Sequence, residues 1–257
     1  MKLNPNELLG RFLHHRVLAR WKTAARNAVH ADTSSLRIWR QQARQLRPLL
    51  HEVTHIGDNR LALPRIGSQT FPRPPGTDWS WRPRAWRGAL SPRGITPAHN
   101  KAKLSDELTV FHDCPLNEVA LIQHRNQRDD DLAAYGVGLE VFSFQGNFLS
   151  LVVDLPQDVC NGLEKRHLIR LSAVIDREKP IKILARLNVK HGPNTEQVLL
   201  TLPDEGPETE VEFDLAYSQL NEKRAERMWL DLMFESPWMN RINLRDLTLC
   251  RHPRAAL

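Results

Sequence analysis

Apolar residues recur every four positions at Leu9, Leu13, Val17, Trp21 and Ala25. That spacing lays one stripe along one face of a helix. Arginines fall mostly beside the stripe. The stretch HADTSS then breaks the pattern and offers Asp32, Thr33, Ser34 or Ser35 to cap a second helix. The second stripe uses Leu36, Trp39, Ala43, Leu46, Leu50 and Val53. Pro48 lies within it and predicts a kink or an early end, and Gly57-Asp58-Asn59 marks the latest point at which the helix stops.

From about residue 105 the period changes to two. ELTVFHDC and EVALIQH come first, and LEVFSFQGNFLSLVVDLP reads as a hairpin around Gln145-Gly146-Asn147, because Gly beside Asn accepts positive φ. HLIRLSAVID, IKILARLNVK, TEQVLLTLP, TEVEFDLAY, RMWLDLMFE and INLRDLTLC follow, separated by REKP, HGPN and PDEGPE. In INLRDLTLC the apolar pairs Ile242/Leu244 and Leu247/Leu249 are out of phase, which predicts a bulge near Asp246. LPQDVCNGLEK and SQLNEKRAE each read as one helical turn. Short alternating strands without long helices between them predict a mainly β chain: an antiparallel jelly-roll-like β-sandwich preceded by an N-terminal α-helical arm.

The intervening stretch has another texture. Residues 60–100 combine dense prolines with arginines and three tryptophans, Trp79, Trp81 and Trp86. Such prolines oppose regular helix and central strand. Large indoles gain by burial, so the segment reads as an extended strap pressed onto the folded domain. The alternative is a stacking platform of Trp and Arg planes facing a sugar or base. The chain thus divides into a basic amphipathic helical arm (1–58), a Pro/Trp/Arg-rich strap (59–104) and a β-sandwich (105–257).

Charge sharpens the first segment. The net charge of the 257 residues is +6. Residues 1–50 hold ten Lys/Arg against Glu7 and Asp32, a balance of +8, which leaves −2 for the rest. The basic character belongs to the arm. Its stripe is expected to pack on the sandwich or on a second copy of the chain, and a protein partner or an anionic membrane surface reached through residues 1–55 is the alternative. Nucleic acid is disfavoured, since no recognised DNA-binding motif accompanies the arginines. Three widely spaced cysteines, an ordinary composition and a start that does not read as a signal peptide suggest a reduced, cytoplasmic setting, and an accessory role in envelope polysaccharide assembly would place the protein at the inner membrane surface.

Strand alternation assigns faces. Ile181, Ile183, Ala185, Leu187 and Val189 point one way; Lys182, Leu184, Arg186, Asn188 and Lys190 point the other. Ile169, Leu171, Ala173 and Ile175 oppose Arg170, Ser172 and Asp176. Met228, Leu230, Leu232 and Phe234 oppose Trp229, Asp231 and Glu235, and Val211, Phe213 and Leu215 oppose Glu212 and Asp214. If these strands share a sheet, its outer face carries Arg170, Arg186, Asn188, Lys190, Trp229, Asp231 and Glu235, with His191 in the turn at its edge. Planar polar groups beside an aromatic suit a sugar or a peptide. The competing reading is a solvated ion-pair ladder.

Catalytic and metal motifs are weak. His112, Asp113 and Cys114 adjoin, with His124 nearby, but neither Cys-x-x-Cys nor His-Glu-x-x-His spacing supports a metal site. Asp231 and Glu235 share a face and are expected to be ion-paired rather than an acid/base pair. Neither catalytic residues nor cofactors are expected.

Two resemblances add to this reading. The strand order from NFLSLVVDLP to INLRDLTL resembles β-sandwich carbohydrate-binding modules and galactose-binding-like domains over about 110 residues, in architecture rather than motif. TDWSWRPRAWRG, FHDCPLNEVALIQHRN, GNFLSLVVDLP, RHLIRLSAVI, ARLNVKHGPNTEQ, EFDLAYSQLNEKR and INLRDLTL together resemble an alphaproteobacterial domain-of-unknown-function family of Rhodobacter relatives. That resemblance implies a bacterial cytoplasmic protein and supplies no catalytic residues. The expectation is a non-enzymatic accessory protein that recognises a glycan through the polar sheet face. The alternative is a scaffold docking through its basic helices, and an enzyme ranks third.

Overall fold

The computed structural model describes residues 5–61 and 70–254. The chain divides into two compact units, Met1–Ile56 and Gly57–Leu257.

The first unit holds α1 (Pro5–Asn27) and most of α2 (Thr33–Leu61). Asp32 caps α2. Its Oδ2 accepts a bond from the Ser34 hydroxyl and another from the Ser35 amide at 3.1 Å. These bonds hold the Asp32 carboxyl well below the usual carboxylate range. Arg20 of α1 donates Nη2 to Gln42 Oε1 of α2 at 2.8 Å, so the helices run back along each other. The helix does not stop at Pro48, nor at Gly57-Asp58-Asn59, as its sequence suggested. Pro48 costs one backbone bond, but Gln, Ala, Arg and Leu around it favour helix, and Gly or Asn only weakens it.

The second unit is a sandwich of two antiparallel sheets. Its elements are β1 (Trp79–Trp81), α3 (Arg84–Arg87), β2 (Gly94–Ile95), β3 (Ala102–Lys103), β4 (Leu108–His112), β5 (Val119–Arg125), β6 (Tyr135–Val141), β7 (Leu149–Asp154), β8 (His167–Arg177), β9 (Ile183–His191), β10 (Asn194–Thr201), β11 (Glu208–Asp214), β12 (Ala225–Phe234) and β13 (Asn240–Pro253). Short 3-10 turns occupy Gln157–Cys160 and Glu222–Arg224, where single helical turns were expected. One sheet runs β11-β8-β13-β6-β5-β2, with β1 also on β13; the other runs β10-β9-β12-β7-β4-β3. The core lies between them.

Alternation explains which side chains fill it. Ile183, Ala185, Leu187 and Val189 of β9 are buried, as are Met228, Leu230, Leu232 and Phe234 of β12 and Ile169, Leu171, Ala173 and Ile175 of β8. The β9–β10 hairpin pairs His191 with Asn194, so Gly192-Pro193 is a two-residue turn, with Gly192 at φ 58°. Positive φ at the first turn position followed by Pro fits a twisted strand pair. The bulge on β13 falls between Leu244 and Asp246, making Arg245 the extra residue.

One expected hairpin is absent. β6 and β7 belong to opposite sheets, so the chain crosses the sandwich between them instead of folding back. Gly146 is required there for space rather than for positive φ. A Cβ on it would collide with Asp113 Oδ1 and stand 2.8 Å from Cys114 N. The loop is anchored by Asp113, which accepts the Asn147 amide at 2.7 Å, the Phe148 amide at 3.1 Å and Asn147 Nδ2 at 2.8 Å.

The Pro/Trp segment is built into the sandwich and not merely laid on it. Within residues 70–104, β1, β2 and β3 pair with β13, β5 and β4. The strands are two or three residues long, as far as the prolines permit. Trp86 is fully buried and donates its indole N–H to Leu244 O at 2.9 Å. Trp79 and Trp81 pack half-buried against the core, and Trp79 Nε1 donates to Asp158 Oδ1 at 3.1 Å. A buried ring stacks on no ligand, so Trp86 is not a stacking residue.

Candidate ligand-binding site

The open face of the β10-β9-β12-β7-β4-β3 sheet carries a groove of about 840 Å³. Residues paired across an antiparallel ladder share a face, and the register sets out three rungs. The first is Lys103, Thr109, Val152, Asp231 and Arg186. The second is Phe111, Ser150, Met233 and Leu184, and the third is Asp154, Trp229 and Asn188. The loop before β7 adds Asn147 and Phe148, and Lys101, Arg227 and Glu235 complete the rim.

The floor is apolar and partly aromatic. Phe148 is 48% exposed, while Phe111 and Trp229 are half-buried. The Arg227 guanidinium lies over the Trp229 ring, 5.3 Å from its centroid, and pairs with Asp154. At the centre Asp231 is almost wholly buried. Its Oδ2 accepts Arg186 Nε at 2.9 Å, Arg186 Nη2 at 2.6 Å and Asn188 Nδ2 at 3.1 Å. Among the described residues no donor reaches Asp231 Oδ1 and no acceptor reaches Arg186 Nη1. The pair therefore keeps one acceptor and one donor uncommitted within the groove.

The face separates the candidates that the sequence grouped. Arg186, Trp229, Asp231 and Glu235 line the groove, with Asn188 beneath it. Arg170 does not belong: it lies on β8, in the other sheet, and pairs with Glu212 at 2.8 Å and Glu210 at 3.6 Å. Lys190 is taken by Glu226 at 3.2 Å, and Glu235 by Lys182 at 3.0 Å. His191 is buried, accepting the Asn221 amide at 3.4 Å, and neither it nor Lys190 lines the groove. Alternation turns His191 toward the interior, so the turn following β9 is not the rim that its sequence suggested.

His112 Nε2 meets Ala98 O at 2.8 Å and its Nδ1 accepts the Cys114 amide at 3.2 Å. His124 lies on β5, across the sandwich from β4, and burial pushes its pKa below the usual value.

Phe111, Phe148, Val152 and Met233 were not singled out by sequence. Their signal is an apolar residue on the polar phase of an alternating strand, as in LTVFH and DLMFE. Large apolar side chains there mark a face that is not simply solvated. Phe148 comes from the loop that crosses between sheets, which strand pairing cannot place.

Asp113 holds that loop, and its hydrogen bonds give the loop a pH dependence. The bond from Asn147 chiefly lowers its pKa from the ordinary 3.8, partly offset by burial, with the Phe148 and Asn147 amides adding to the lowering. A depressed carboxyl stabilises the fold above its ordinary pKa, and that contribution fades as pH falls through the lower folded value. Acidification below about pH 4 is expected to lower the protection factors of the Asn147 and Phe148 amides, measured against their intrinsic exchange rates at each pH, before the β-strands respond. Asp113→Ala should show the same loosening at neutral pH. Unchanged exchange in both cases contradicts the anchoring role.

Fold and groove define a class, an antiparallel β-sandwich with a ligand-sized groove on one open sheet face. The chain belongs to a family of unknown function, DUF6478, whose pattern matches residues 1–257. No curated protein matches it. Among solved structures it is similar to the enzymatically active domain of bacteriophage CBA120 tailspike protein 4, with TM-score 0.41 and 10% identity over 61% of this chain and 22% of that one. It is similar to a family 11 carbohydrate-binding module from Clostridium thermocellum in complex with a β-1,3-1,4-mixed-linked tetrasaccharide, with TM-score 0.38 and 11% identity over 61% and 96%. It is likewise similar to TmCBM61 in complex with β-1,4-galactotriose, with TM-score 0.34 and 16% identity over 63% and 96%. Likeness at this level carries no argument about what this chain binds.

Proposed function

We propose that the protein is a non-enzymatic binding protein that recognises a glycan in the groove of the β10-β9-β12-β7-β4-β3 sheet. One observation carries the reading: Phe111, Phe148 and Trp229 converge on the groove that holds the Arg186–Asp231 pair. Sugars present apolar C–H faces and a ring of hydroxyls. Aromatic faces suit the first, and fixed planar donors and acceptors suit the second. A groove of about 840 Å³ has room for a ligand of a few sugar rings. The three carboxylates lining it are each held by a cation, Asp154 by Arg227, Asp231 by Arg186 and Glu235 by Lys182. That favours recognition over acid/base chemistry. The setting proposed is cytoplasmic, at the inner membrane.

Phe148→Ala is the direct test, because an exposed ring contributes little to the core. On a glycan array the wild-type protein is expected to retain at least one oligosaccharide class. The variant should bind it about tenfold more weakly, with an unchanged melting temperature. Equal binding by both proteins, or no retention by the wild type, refutes the reading.

A further inference from the structure

The helical unit presents a second surface, with chemistry unlike the groove. At 100° per residue, Ile38, Leu46, Leu49, Leu50 and Val53 of α2 fall within an arc of about 120°. They are exposed, between 37% and 69%. Arg37, Arg40, Arg44 and Arg47 fall on an adjoining arc of about 80°. Arg37, Arg40 and Arg44 line one shallow hollow with Gln41 and Gln45. The sequence holds no Asp or Glu from Thr33 to His51, and among the described residues no carboxylate pairs with these four arginines. Leu13 and Val17 of α1 are exposed as well. Gln42, which Arg20 of α1 holds, falls within the leucine arc, so α1 flanks this face; in a helix pair joined at residues 28–32, Leu13 and Val17 lie toward the same end as Leu46 to Val53 and extend it.

Charge decides between occupants. A second copy would bring four more arginines against the first four, and like charges oppose that contact. Nucleic acid would take the arginines but leave the leucines wet. An anionic lipid surface takes both: phosphate headgroups meet the guanidinium arc and acyl chains meet the leucine arc. No helix of the described residues is long and apolar enough to cross a membrane, so the helix would lie in the interface.

We infer that α2 docks in the plane of an anionic membrane, with Leu46, Leu49, Leu50 and Val53 in the lipid and Arg37, Arg40, Arg44 and Arg47 on the headgroups. The experiment is co-sedimentation of the full chain with vesicles of phosphatidylcholine alone and of phosphatidylcholine with phosphatidylglycerol. The wild type should bind the anionic vesicles at least about tenfold more tightly than the neutral ones, and less tightly as salt rises. Arg40→Glu with Arg44→Glu should weaken binding about a hundredfold. Leu49→Glu with Leu50→Glu should weaken it about tenfold or more. Circular dichroism checks that helix is kept; if the leucine pair loses it, Leu50→Ser makes the same test. Absence of sedimentation overturns the inference, as does equal binding to both vesicles. A leucine pair that binds like wild type while duplex DNA is shifted in gels assigns the arginines to nucleic acid instead. A dimer dissociated by the leucine pair, without vesicle binding, assigns the face to a second copy.

Discussion

Asp246→Ala is expected to cost the sandwich about 3–5 kcal/mol, because it leaves a guanidinium charge buried without its partner. Arg82 donates Nε to Asp246 Oδ1 at 2.8 Å and Nη2 to Oδ2 at 2.7 Å, with its own side chain 1% exposed. The pair sits where β13 breaks register. A bulge leaves ladder groups unpaired; the Pro/Trp segment takes one of them, and Asn126 Nδ2 takes the Arg245 carbonyl at 2.8 Å. Trp86 takes the Leu244 carbonyl, Arg82 takes Asp246, and Asp246 Oδ1 also accepts the Leu247 amide at 2.8 Å. Arg245, the extra residue, is held by Asp131 and Asp130.

The ion pair is not itself the source of the stability. Burial pushes the Asp246 carboxyl above its usual pKa, and Arg82 offsets this only in part. Desolvation and the nearby Asp131 carboxylate oppose the attraction within the pair. It follows that Arg82→Met with Asp246→Leu should recover most of what Asp246→Ala loses. Urea unfolding of the three proteins decides. A single variant within about 1 kcal/mol of wild type refutes the account, and so does a double variant as unstable as the single one.

The bulge shows how much the sequence disclosed. Two apolar pairs out of phase around Asp246 announced it, because period two admits no other repair. The same alternation gave the inward residues of β8, β9 and β12. What it did not give is which strands share a sheet. Arg170 and Arg186 read alike, each on a polar strand face, yet their strands lie in opposite sheets. Partner choice depends on long-range packing and leaves no local mark. Gly146 misled for a related reason: beside Asn147 it read as a hairpin turn, whereas the structure needs it for the close approach of Asp113. The groove was half legible. Arg186, Asn188, Trp229 and Asp231 follow from alternation, but Phe111 lies on a strand 70 residues away, and Phe148 on a crossing loop. The tryptophans of the segment around Trp86 mark it for burial, and Trp86 is buried; its three short strands are too brief for any periodicity to show.

Arg186→Ala should separate the structural role of the groove's central pair from its role in recognition. Asp231 is buried, and Arg186 provides two of the three bonds to its Oδ2. Removing Arg186 leaves the carboxylate with Asn188 alone. The Arg186 side chain is 36% exposed, so water replaces part of what is lost. The stability cost is therefore about 1–2 kcal/mol, below that of stranding Arg82. Glycan binding should fall more than about tenfold, because the donor at Nη1 goes and Asp231 is no longer held in place. Arg186→Lys tells the effects apart. An ammonium restores charge near Asp231 but not the planar fork, so stability should largely return while binding stays low. Unfolding midpoints and isothermal titration with the array-selected oligosaccharide read the two quantities independently. If Arg186→Ala loses stability and binds like wild type, the pair is a structural tie and recognition rests on Phe111, Phe148 and Trp229. If Arg186→Lys restores both, charge alone is recognised, which points to an acidic rather than a neutral sugar.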